Sequence, residues 1–100
     1  MANTFKVLYR GAAATTSTTL YTVPASTTTY ISSILVANTS ASTQTYTITL
    51  NGISAATTVS VPANDTALLE IKQILAAGQI LAGLASATSV NFHISGLEIT

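Results

Sequence analysis

The chain predicts an all-β protein, an antiparallel β-sandwich or jelly roll of about eight short strands. Three observations carry that expectation. Thr, Val and Ile recur throughout, and β-branched side chains suit a pleated surface. Apolar and polar residues alternate with period two in several short runs, which is the signature of a strand with one face buried. Gly, Pro and Asn/Asp turn signals interrupt these runs every 8–12 residues or so, as they do in sandwiches and barrels.

The first strand is expected at Phe5 to Arg10, with Phe5, Val7 and Tyr9 on one face and Lys6 and Arg10 on the other. Gly11 to Thr16 reads as a loop. Thr18 to Val23 forms the second strand and stops at Pro24, which has no N–H to donate to a ladder. Thr27 to Ala37 is the longest β segment. Its nearly continuous apolar run through Ile34, Leu35 and Val36 suggests burial on both faces, or passage from one environment to another. After the polar loop Asn38 to Thr43 comes the cleanest alternation, with Tyr46, Ile48 and Leu50 against Thr45, Thr47 and Thr49. Asn51-Gly52 is a hairpin signal because both residues tolerate positive φ. The return strand, about Ala56 to Val61, turns Val59 and Val61 inward and ends at the turn Pro62 to Asp65.

Residues 66–77 admit two readings. Asp65 could cap a helix with Leu68, Ile71 and Leu75 on one face, closed by Gly78. Alternatively Ala67 to Ile71 is a strand, Ala76-Ala77-Gly78 a turn, and Gln79 to Leu84 another strand. The strands are preferred because every flanking element is β. The last strand, Ser89 to Ile99, faces Val90, Phe92 and Ile94 inward, and a bulge at Gly96 is expected to bring Leu97 and Ile99 back into that phase.

Composition narrows the function. The 100 residues make one domain, 1–100, and contain no cysteine, so disulfides and thiolate metal sites are excluded. Three basic and three acidic residues give zero net charge, with no Lys/Arg stripe for phosphates, so no nucleic-acid partner is expected. The longest apolar stretch, Ile74 to Ala85, is broken by Gln79 and is too short for a helical bilayer span, so no membrane partner is expected. Met1 to Thr4 lacks the pattern of a signal peptide, so cytoplasmic synthesis without secretion is expected. A surface of Thr, Ser, Ala and Asn desolvates cheaply and repels itself little, which favours a working life packed against other protein.

No motif declares a chemistry. His93, the single histidine, sits beside Asn91 and Ser95 on the face away from Phe92, with no carboxylate in a recognised spacing. It reads as an exposed or interface residue, and neither a catalytic group nor a cofactor is expected. Glu70 and Lys72, two apart, would share a strand face as a solvated or intersubunit pair. Lys6 and Arg10 read as the outward face of an edge strand, where cations discourage wrong pairing. Asp65 is expected to bond its own backbone, and the four tyrosines to pack in the core or an interface. Lys6, Arg10, Glu70, Lys72, Asn91 and His93 are therefore the candidate interface residues.

Three phrases, Leu20-Tyr21-Thr22-Val23-Pro24-Ala25, Ile34-Leu35-Val36-Ala37-Asn38-Thr39 and Gly96-Leu97-Glu98-Ile99-Thr100, resemble those of small virion proteins of tailed bacteriophages. The likeness covers most of the chain, with Ser26 and Gly78-Gln79 departing from the usual Pro-Ala-Gly and Gly-Asp. The resemblance implies a virion location and a capsid decoration (cement) protein. It would act as a homo-oligomer, a trimer, on the major capsid protein or another virion protein. A neck or tail-fibre subunit, or a glycan-binding module, is the alternative.

Overall fold

A computed structural model describes residues 2–100, and they contain nine strands and no helix. In chain order these are β1 (Asn3–Ala12), β2 (Thr18–Thr22), β3 (Thr28–Asn38), β4 (Gln44–Leu50), β5 (Ile53–Val61), β6 (Thr66–Leu69), β7 (Gln73–Leu75), β8 (Ile80–Ala85) and β9 (Val90–Ile99). A five-stranded sheet runs β1-β9-β3-β6, with β7 also on β3, and a four-stranded sheet runs β2-β8-β4-β5. All pairings are antiparallel. Chain connections pass between the sheets except at the β4–β5 hairpin and the β6–β7 break. This is the strand order of a jelly roll. The expected sandwich is present, with one of its eight strand positions split in two.

Residues 66–77 therefore hold two short strands, β6 and β7, parted by a break at Glu70 to Lys72, so the helical alternative is overturned and the expected strand Ala67 to Ile71 ends early at Leu69. β6 pairs with Ile34 to Ala37 of β3 and β7 with Thr29 to Ile31, so ladder bonds outweigh local helix propensity. The Asn51-Gly52 turn is as expected, with both φ angles positive at 51° and 82°. The core lies between the sheets, where Ile31, Ile34, Val36, Ile48, Val61, Leu81, Val90, Phe92 and Ile94 are fully buried. Tyr46 meets Phe92 edge-on, with ring centroids 6.3 Å apart.

Three expectations about facing are corrected. No bulge occurs in β9, whose alternation continues through Ile99. The register breaks lie in its neighbours instead, between Val7 and Tyr9 in β1 and between Ile31 and Ser33 in β3. Leu97 and Ile99 consequently stay on the outer face, and Gly96 and Glu98 take the inner positions. In β1 the extra residue, Leu8, is buried, while Phe5 and Val7 are exposed. The same break puts Lys6 and Arg10 on opposite faces rather than together. In β3 the bulge lets Ile31 and Ile34, three residues apart, both point inward, and beyond it the apolar run simply alternates, with Ile34 and Val36 in and Leu35 out. That strand is buried on one face only.

Gly96 is required by this arrangement. A Cβ there would collide with the Tyr30 carbonyl oxygen and press on Leu8 at 3.0 Å. Backbone cannot retreat as a side-chain tip can, so Gly96→Ala should destabilise by about 1–3 kcal/mol, read as a lower urea midpoint. Ile94→Ala should cost about 2–5 kcal/mol through its cavity. Leu97→Ala, on the outside, should cost under about 1 kcal/mol, and equal losses at the two positions would contradict the assigned facing.

Candidate interaction surface

The outer face of the five-stranded sheet is built in cross-strand rows, because paired residues in a regular ladder lie side by side. One row runs Phe5, Leu97, Tyr30, Ile74 across β1, β9, β3 and β7. A second runs Arg10, His93, Leu35, Leu68 across β1, β9, β3 and β6. Phe5 is 89% exposed, Ile74 66% and Leu68 59%, and Val7 and Leu35 are also exposed. Among the described residues, five of the eight exposed large apolar side chains thus share one face. Between Phe5 and Val7 on one side and Tyr30 and Ser32 on the other runs a groove of about 400 Å³, floored by Ser95, Gly96 and Leu97.

Of the candidate interface residues, the fold brings Arg10, His93 and Asn91 onto this face, Arg10 directly opposite His93. Lys6 lies apart on the inner side of the β1 edge. Glu70 and Lys72 occur in no strand: they occupy the break between β6 and β7, where Lys72 has φ 47°, so they do not share a strand face. Both are exposed on the sheet's far edge. Sequence reasoning missed Phe5, Leu35, Leu68 and Ile74 as surface residues. A signal existed in Leu68-Leu69 and Ile74-Leu75: of two adjacent apolar residues in a strand, one must face out.

A second cleft, of about 580 Å³, opens at one end of the sandwich. It is lined by Leu50, Ile53, Ile71, Ile74 and Leu75 with Asn51, Gln73 and Gln79 among them, and no tyrosine contributes. His93 lies between Arg10 and Leu35, and among the described residues no three His, Asp or Glu side chains are grouped to hold a metal ion. Asp65 accepts a bond from the adjacent Thr66 N–H at 2.8 Å, in line with a turn role.

Polar groups close both ends of the sandwich. At one end the Tyr21 hydroxyl, on the smaller sheet, donates to the Glu98 carboxylate on the larger. The Thr29 hydroxyl meets the same phenol oxygen at 2.9 Å, and Lys6 Nζ lies 3.4 Å from Glu98. At the other end Asn38 Nδ2 donates to the carbonyls of Ser42, Val61 and Pro62 at 2.9–3.1 Å. Burial first, then the bond to Glu98, pushes the Tyr21 phenol up to about 12. Burial also raises Tyr46.

Comparisons of the chain with protein-family models, with curated proteins and with solved structures returned no match.

A raised tyrosine pKa favours the neutral phenol in the folded state, so its contribution is complete below pH 10 and is lost as pH rises towards about 12. Stability measured by urea titration should fall across that window. Tyr21→Phe should flatten part of the fall and leave the part belonging to Tyr46. An unchanged pH profile in Tyr21→Phe would disprove the end clasp.

Proposed function

We propose that this protein is a non-catalytic structural subunit that decorates and cements a tailed-phage head, binding the assembled shell as a homo-oligomer. The observation that carries the docking role is the exposed apolar rows on the outer face of a sandwich whose core is already complete. Solvent-facing Phe, Ile and Leu on a face whose one formal charge is Arg10 mark a surface that is covered in the working state. Covering it removes apolar area from water, at roughly 25 cal/mol per Å², with few charges to desolvate. The phage-head assignment draws on the likeness of the sequence phrases to small virion proteins. The jelly roll is compatible with it, since that architecture serves viral coat proteins as well as lectins and cupins, but the fold alone names no function.

The mechanism is mass action. A subunit that binds only the assembled shell shifts the equilibrium towards assembly by RT ln(1 + [L]/Kd), about 2.7 kcal/mol per site at a hundredfold excess over Kd. Hydroxyl-rich strands approach a partner closely, and their groups can be satisfied by hydrogen bonds rather than stranded.

Co-sedimentation with heads of the virus that encodes the chain tests this reading. Binding should saturate at a fixed copy number per head and raise the temperature at which the heads rupture. Leu35→Asp and Leu68→Asp should each weaken binding at least tenfold while leaving the melting temperature of the free protein within a few degrees. No binding to heads, together with retention on immobilised glycans, would replace the cement role by a tail-fibre recognition module.

A further inference from the structure

The two edges of the five-stranded sheet are unlike each other. The β1 edge carries the protruding Phe5 ring with Lys6 and Arg10, two of the chain's three cations. The opposite edge, formed by β6 and β7, carries exposed Asp65 and Glu70, two of its three acids, with Lys72 beside them. That edge also opens the 580 Å³ cleft lined by Ile53, Ile71 and Ile74. Phe5 and Ile74 stand at the two ends of one cross-strand row, so knob and cleft sit at the same level of the sheet.

We infer that the β1 edge of one copy docks against the β6–β7 edge of the next, seating Phe5 in the cleft beside Ile74, with Arg10, level with Leu68, reaching along the edge to Glu70. The contact deepens the proposed homo-oligomer and does not depend on what the oligomer binds. Charge favours this orientation: Lys6 is already held by Glu98, so two β1 edges brought together would set Arg10 against Arg10, whereas β1 against β6–β7 sets Arg10 near Asp65 and Glu70, with Lys72 beside them. Size permits it. Ten residues of β1 span about 33 Å, and with a particle depth of 18 Å the edge offers on the order of 600 Å², near the roughly 800 Å² per partner of a stable interface. Phe5 is the natural anchor, because buried aromatic rings carry a disproportionate share of interface energy. A contact between unlike surfaces is heterologous, so it closes into a ring of three or more copies or grows as a filament, and never stops at a pair.

Sedimentation equilibrium of the full chain tests the contact. The unaltered protein should give species of three or more copies. Phe5→Asp and Ile74→Asp, both at exposed positions, should keep native circular dichroism and weaken association about thirtyfold or more. Arg10→Glu should weaken it severalfold, and Arg10→Glu combined with Glu70→Arg should recover it. A monomer or a two-fold dimer from the unaltered chain overturns the inference, as does association indifferent to both Asp variants or unrecovered by the charge exchange. If the oligomer behaves as described but does not bind heads, the cement role falls and the contact stands.

Discussion

The backbone around Gly96 decides what this molecule shows to the outside. The strand β9 keeps an unbroken pleat, while both strands that flank it carry an extra residue at the same level, Leu8 on one side and the Ser32 region on the other. Each insertion reverses the facing of everything beyond it in its own strand. Phe5, Val7 and Tyr30 thereby come onto the outer surface with Leu97, and the inner position opposite them is left to a residue without a side chain. The Tyr30 carbonyl approaches too closely for anything larger. The outward row of Phe5, Leu97, Tyr30 and Ile74, inward-turned Glu98 and the end clasp all belong to that one geometry.

Charge is used sparingly and locally. Glu98 is the one acid turned between the sheets, and Lys6, Tyr21 and Thr29 surround it. A carboxylate in such a place needs partners that hold it, because an unpaired buried charge is costly. Asn38 does the neutral equivalent at the opposite end, tying the end of β3 to the end of β5 and to its own loop. The middle of the sandwich can then be purely apolar, and no buried side-chain polar atom is left unbonded among the described residues.

Much of the architecture was legible because it is local. Tyr46 and Ile48 alternate with threonines, Val90, Phe92 and Ile94 alternate with polar residues, and Asn51-Gly52 encodes its own turn. The bulges were not legible, since they exist only in the pairing of β1 and β3 with β9, strands distant in sequence. Lys6 and Glu98, 92 residues apart, meet only because β1 and β9 are paired. The break at Glu70 to Lys72 also escaped, because Lys72 adopts positive φ without being glycine or asparagine. On the surface, the sequence marks Arg10, His93 and Asn91 as candidates, but the spacing of Phe5, Val7 and Leu35 reads as core, and the structure leaves all three outside it.

The interruption between β6 and β7 has a consequence for solubility. A long bare strand margin invites foreign chains to zip onto it through their main-chain amides, which is how cross-β fibres propagate. Here that margin is cut into pieces of four and three residues, set off by a residue twisted out of the pleat. Neither piece is long enough to template a growing ladder, so a neighbour arriving there must be recognised by its shape and side chains. A nearly uncharged protein can in this way leave a strand margin exposed without templating its own aggregation.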